Sequence, residues 1–292
     1  MTFRPFVATV LRTERISPSF QRVTFTGVDE MGPAGPIHDL RIKLLIPPAG
    51  GVLPDLGCGQ DGYQRWQQLP EHERGVLRTY SVRHFRRTAS DSAEIDVDFV
   101  VHAGEQSGPA CQWACTCKAG DQLIILGPTR EDDSRTGIEF KPRAARSVQL
   151  FGDETAMPAI LRILEDWPEG LTGSAHIEVP TMADRQHIEL PKGVQLCWYQ
   201  RTSDHGCALM SALCEHLEVA EDGEQSTLEP APGLVWETPE FSSAGEPIAE
   251  SPCADCYYWI AGKSSMVTAM RRVLVQEAGV PRSNVSFMGY WK

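Results

Sequence analysis

A small antiparallel β barrel followed by an α/β domain on a parallel sheet is the fold this sequence predicts, on three observations. Up to about Phe140 the apolar residues come in short alternating runs separated by Gly and Pro turns. After the Arg-rich stretch Lys141 to Arg146, apolar runs of strand length alternate with segments of helical period. The two patterns do not interleave, so the chain of 292 residues is expected to form two domains, 1–143 and 144–292.

Six runs make up the first half: Phe6 to Leu11, Gln21 to Thr26, Arg41 to Ile46, Val76 to Arg83, Ile95 to His102 and Gln122 to Leu126. Closure into a barrel is expected because it leaves no strand edge unpaired. Pro47 to Gly75 is a Gly- and Pro-rich excursion between two of the runs. In the second half, strands are expected at Ser147 to Phe151, Ala175 to Val179, Gln195 to Tyr199, Tyr257 to Ala261 and Val285 to Tyr290. Helices are expected at about Thr155 to Asp166, Ala208 to Leu217 and Ser264 to Glu277. Such alternation implies a parallel sheet covered on both faces. The segment 218–252 is acidic and rich in Pro, Gly and Ser, and is expected to be a mobile surface insertion.

A hydrophobic content of 41% is that of an ordinary globular chain, and a formal net charge of -12 excludes a general nucleic-acid binder, which needs a basic stripe. No stretch approaches the roughly 20 apolar residues of a spanning helix. The opening Met1-Thr-Phe-Arg-Pro-Phe lacks the apolar core of a secretion signal, so a cytoplasmic location is expected. Nine cysteines, an odd number, suit a reducing compartment. Cys111, Cys115 and Cys117, and the lone CxxC of Cys253 and Cys256, lack the paired spacing of zinc or iron-sulfur ligands, so no metal site is expected.

Four constellations carry chemistry. In Arg78-Thr79-Tyr80-Ser81, strand alternation puts Arg78 and Tyr80 on one face. The guanidinium fork suits pyrophosphate oxygens and the ring suits a flat heterocycle, which together fit a flavin dinucleotide. Ser81 joins them only where regular pairing stops, so a strand terminus is expected there; a surface Arg beside a half-buried Tyr is the plainer alternative. The second is His102-Ala-Gly-Glu-Gln-Ser-Gly108-Pro109-Ala110-Cys-Gln-Trp113. A helix starting at Pro109 offers free N–H groups and its positive dipole end to a pyrophosphate, with His102 and Trp113 able to flank a ring.

The third, Phe151-Gly-Asp153-Glu154-Thr155-Ala-Met-Pro158, lies where the first parallel strand turns into its helix, the place where open α/β sheets bind nucleotides. It lacks the three spaced glycines of the dinucleotide fingerprint, and Thr155 is the best hydroxyl for a reacting ring. Helix capping by Asp153 or Thr155 is the alternative. The fourth, Ala261-Gly262-Lys263-Ser264-Ser265, is not a P-loop, because Tyr257 stands where that motif needs glycine. Ser264 is expected to cap the helix. A lysine before a helix amino terminus is unfavourable unless an anion lies nearby, so an anionic ligand is expected near Lys263.

RTYSVR at 78–83, DFVVHAG with GPACQWA at 98–114, AGDQLIILGP at 119–128, FGDETAMPAI at 151–160 and GYWK at 289–292 resemble the siderophore-interacting protein family of flavin-dependent ferric-siderophore reductases. The resemblance implies a ferredoxin-reductase-like fold, with an FAD-binding barrel followed by a nicotinamide-binding α/β domain. It implies that Arg78 holds the FAD pyrophosphate, Tyr80 packs on the flavin and Ser81 bonds near N5, with Thr79 in the same strand. It further implies that His102, Gly108, Pro109, Ala110 and Trp113 complete the FAD site and that Thr155 approaches the isoalloxazine. Asp153, Thr155, Arg201 and Gly262 are expected at the nicotinamide. The sequence departs from the family at Lys263, where an acidic residue is usual, and ends at Lys292 without the carboxyl-terminal extension some members carry.

The expected reaction takes electrons from NAD(P)H through FAD to a ferric siderophore, with ferredoxin as the alternative donor. A flavin joins a two-electron donor to a one-electron acceptor, so no protein nucleophile or acid is required. An anionic chelate needs a basic seat, for which Lys263, Arg271, Arg272, Arg282 and Lys292 are candidates; Arg271 and Arg272 also suit a solvated helix face. Reduction of another acceptor, such as free flavin or a redox protein, and non-catalytic iron-chelate binding are the competing functions. For NADH against NADPH, Arg185 and Arg201 are the candidates to meet a 2′-phosphate, with plain surface arginines as the commoner alternative.

Overall fold

The structure, a computed structural model, describes residues 3–33, 35–48, 50–101, 108–202, 204–219, 235–241 and 255–292. It divides into two compact units, Met1–Ile138 and Glu139–Lys292. Residues 139–143, expected in the first domain, fall in the second. Tyr257 Oη donates to the Glu139 carbonyl at 3.0 Å and accepts from Lys141 N at 3.2 Å, which ties this stretch to the second sheet.

The first unit is one antiparallel sheet of seven strands: β1 (Arg4–Ser17), β2 (Phe20–Thr26), β3 (Arg41–Ile46), β4 (Val76–Ser81), β5 (His84–Arg87), β6 (Ala93–Val100) and β7 (Gln122–Gly127). Their order is β4-β3-β7-β1-β2-β6-β5. The sequence pattern contains six of these strands and misses β5. The expected closure also takes a different form: no ladder joins β4 to β5 among the described residues, and the sheet is a half barrel. Its two edge strands are successive parts of one chain, turning a corner at Val82 and Arg83. There Val82 N bonds Leu40 O and Arg83 N bonds Asp96 O, both at 2.9 Å, so the backbone passes from the β3 side to β6 within two residues. Gly75 leads into β4 with φ +60°, and a Cβ there would lie 2.2 Å from the Ile46 carbonyl.

Alternation puts Ile42, Leu44, Val23, Phe25, Ile95, Val97, Phe99 and Ile125 in the inner core. One end is plugged by α2 (Pro109–Thr116), which packs against β2, β3, β4 and β6 with Ala110, Cys111 and Ala114 buried. The excursion before β4 contains α1 (Gly62–Gln68), and its Leu56, Tyr63 and Trp66 pack on Leu45, Ile124 and Leu126 of the outer face.

The second unit is a six-stranded sheet of β8 (Ser147–Gly152), β9 (Thr172–Val179), β10 (Val194–Gln200), β11 (Trp236–Glu237), β12 (Cys256–Lys263) and β13 (Val285–Trp291), in the order β10-β9-β8-β12-β13-β11. All pairs are parallel except β11 with β13. The helices are α3 (Met157–Glu165), α4 (Cys207–Leu217) and α5 (Ser264–Arg271), and α5 runs on into a π-helical turn over Arg272–Glu277. β11 corrects part of the reading of 218–252 as a surface insertion: Trp236 and Glu237 pair with β13 at the edge of the sheet, and Glu237 and Thr238 are buried. The remainder of that segment from 220 on lies outside the described residues. Strand order runs outward from β8 to β10 and then returns to β12, so the topological switch point lies between β8 and β12. Among the described residues no helix is long and apolar enough to cross a membrane.

Candidate functional site

β4 ends at Ser81, where the sequence places a terminus, because Val82 begins the corner. Cross-strand register sets Arg78 opposite Leu44 and Tyr80 opposite Ile42, both core residues, so Arg78 and Tyr80 share the inner face. The Tyr80 ring lies 4.5 Å from that of Phe99, and burial holds its phenol protonated far above the usual range. Arg78 is exposed; its guanidinium meets only the Leu77 carbonyl, at 3.0 Å, and makes no ion pair among the described residues. Thr79 points outward, where its hydroxyl accepts from Lys43 Nζ at 3.3 Å. Burial, and then the charge of Arg41, lowers the pKa of Lys43.

Pro109 is the first residue of α2 and Gly108 its N-cap, and among the described residues no side chain caps the first N–H groups. Among the described residues a Cβ at Gly108 would meet nothing within 4 Å. The Ala110 side chain is buried and leaves only its backbone to such a ligand. Trp113 stacks on Phe25 at 6.1 Å and tilts against Phe99 at 6.0 Å. His102 lies outside the described residues. A guanidinium without an ion pair among the described residues, a helix amino terminus in contact with the same strand and an aromatic wall fit the phosphates and flat ring of FAD.

In the second unit Asp153, fully buried at the end of β8, gathers the ends of three strands. Its Oδ1 accepts from Thr155 N at 2.9 Å and Thr155 Oγ1 at 2.6 Å, while Oδ2 accepts from Lys263 N at 2.8 Å and Trp291 Nε1 at 3.0 Å. Gly262, with φ +141°, permits this approach: a Cβ there would sit 2.6 Å from the Asp153 carboxylate. Lys263 Nζ lies 5.3 Å from the centre of the Trp291 ring, and His205 meets the same ring edge-on at 4.9 Å. Among the described residues His205 Nδ1 has no hydrogen-bond partner, and burial, with Arg201 and Lys263 nearby, lowers its pKa. Donor atoms of Asp153, Glu154 and His205 lie within 4.8 Å of one another, but the Asp153 lone pairs are already occupied and Glu154 is paired with Arg201.

Arg201 also donates to Glu178 at 3.0 Å, so it faces two buried carboxylates and is not open to a 2′-phosphate. Three of the five cations expected at an anionic substrate are likewise engaged. Arg271 and Arg282 reach Glu237 Oε2 at 2.8 and 2.6 Å, and Arg272 pairs with Glu277 at 3.1 Å. Glu237 is supplied by β11, in the segment read as an insertion, which is why spacing alone did not reveal its pairs with Arg271 and Arg282. Lys263 and Lys292 form no ion pair among the described residues. Ser264 is not the cap: Lys263 is the N-cap of α5, and Ser264 is its first residue, buried. Sequence reasoning missed Asp153 as a hub and Trp291 as its partner; the closing GYWK motif was the available signal for Trp291.

A family model described as a siderophore-interacting FAD-binding domain matches residues 9–132, and one described as siderophore-interacting protein matches residues 145–292. The ferric vibriobactin reductase ViuB of Vibrio cholerae is 26% identical over 288 residues, 99% of this chain and 89% of that one. An NADPH-dependent ferric-chelate reductase of Escherichia coli is 31% identical over 162 residues, 54% of this chain and 55% of that one. The crystal structure of the siderophore-interacting protein SipS from Aeromonas hydrophila superposes with a TM-score of 0.66 at 26% identity, covering 100% of this chain and 99% of that one.

Proposed function

This chain belongs to the siderophore-interacting protein family, and from that premise we propose that it reduces ferric siderophores with electrons passed through a bound FAD. The observation that carries the reading is Arg78, an exposed guanidinium without a carboxylate partner among the described residues, sharing a strand face with Tyr80. Arg78 and the first N–H groups of α2 would hold the pyrophosphate; Tyr80 and Trp113 would bound the ring, with Ser81 at the strand end beside it. Bound there, FAD supplies the exchange between a two-electron donor and one-electron ferric iron.

NAD(P)H is the donor this reading favours, entering at the carboxyl ends of β8 and β12 by Asp153, Thr155 and Gly262; ferredoxin is the alternative. A cytoplasmic location follows from the nucleotide pool. Lys263 and Lys292, the two candidate cations without an ion pair among the described residues, support an anionic chelate binding beside Trp291. FAD-reconstituted protein mixed anaerobically with NADH or NADPH should bleach and then regain colour with a ferric chelate. Persistent colour with both nucleotides would transfer the donor role to ferredoxin, and a protein that takes up no FAD would end the proposal. Neutralising Lys263 and Lys292 together should raise KM for the chelate with flavin content unchanged.

A further inference from the structure

Every residue from Phe151 to Leu161 is buried except Thr155, which is half-buried, so Thr155 is the residue by which the β8–α3 turn can meet a ligand. Its hydroxyl has its single hydrogen already placed, on Asp153 Oδ1 at 2.6 Å, the short distance of a charge-assisted bond. The Thr155 backbone N holds the same oxygen at 2.9 Å, and Lys263 N and Trp291 Nε1 hold the other at 2.8 and 3.0 Å, so the carboxylate cannot turn away. Thr155 Oγ1 therefore has lone pairs to offer and no proton. No group among the described residues donates to it.

We propose that Asp153 is a positioning residue that makes Thr155 an obligate hydrogen-bond acceptor, and that the donor it accepts is the primary carboxamide N–H2 of a nicotinamide ring. This rests on the reading that a nicotinamide dinucleotide enters at the ends of β8 and β12. A carbonyl oxygen at the same place would face lone pairs and be repelled. The turn thus selects the carboxamide by its hydrogens, and fixes which way the amide group lies.

The test is isothermal titration of FAD-reconstituted, full-length protein with NAD+, NADP+ and their 3-acetylpyridine analogues, which replace the amide N–H2 by a methyl group without adding charge. Wild type should bind the carboxamide form about tenfold more tightly than the analogue, the worth of one hydrogen bond. Thr155→Val should bind both forms alike, and Thr155→Ser should restore the preference, with melting curves showing each variant folded. Asp153→Asn should weaken the preference with Thr155 still in place. A preference that survives in Thr155→Val, or an equal weakening of both forms, overturns the proposal. Absence of heat with every dinucleotide would instead remove the nicotinamide donor itself, and the proposal with it.

Discussion

The indole Nε1 of Trp291 donates to Asp153 Oδ2 at 3.0 Å, across 138 positions of sequence. With Lys263 N on the same oxygen, this bond draws the ends of β8, β12 and β13 together at the switch point of the sheet. Trp291→Phe keeps an aromatic ring and removes one donor of four, so it should cost about 1 kcal/mol. Asp153→Asn should cost more, about 2–3 kcal/mol, because its amide must face buried N–H donors whichever way it is turned. Urea unfolding measures both; equal losses would contradict the hub role of Asp153.

Arg78 is exposed and lies on the inner face beside Tyr80, so Arg78→Ala should leave the melting temperature unchanged and weaken FAD binding. Loss of a charge-assisted contact predicts roughly 10- to 100-fold in Kd, read from flavin fluorescence during reconstitution of the apoprotein. Arg78→Lys should recover part of it, since a single ammonium cannot fork across two oxygens.

Glu237 holds Arg271 and Arg282 on one buried oxygen. Arg271→Met and Arg282→Met should each lower stability by about 1–3 kcal/mol, since an ionised group is left with one partner fewer in a buried setting. The KM for a ferric chelate should stay at its wild-type value. A raised KM with stability intact would return these arginines to the substrate seat.

His176 lies between Phe151, 4.7 Å away, and Tyr199, 5.9 Å away, with both ring nitrogens hydrogen-bonded. Burial, and then the nearby His216, lowers its pKa to about 4. An unfolded histidine titrates near 6.5, so the unfolded chain binds the proton first: stability is complete above about pH 6.5 and falls as pH drops toward 4. His176→Phe keeps the stack and removes the titration. Between pH 7.5 and 4.5 wild type should lose about 2 kcal/mol more than this variant in chemical unfolding; parallel losses would assign the acid sensitivity elsewhere.

Much of the fold was legible because periodicity is local. The β3 run Arg41–Ile46 matches its strand to the residue, and the five parallel strands fall within a few residues of their expected bounds. β5 was missed because His84–Arg87 carries three basic residues in a row of four, with no apolar alternation to mark it. Arg86 and His84 stand there because Asp96, across the ladder, accepts from both, at 2.5 and 2.9 Å. β11 was missed for a related reason: two residues in an acidic segment become a strand only because β13 offers an edge.

The sequence by itself determined the order of the two folds, the alternation that sets Arg78 beside Tyr80, and the end of that strand at Ser81, because each depends on neighbours a few positions away. Only the tertiary structure decided which charges remain available. Arg201, Arg271 and Arg282 read in the sequence as open cations, yet Glu178 and Glu237 reach them from other strands. Residue type is written along the chain, but whether a charge is neutralised depends on distances in space, and those are set by strand pairing far away in sequence.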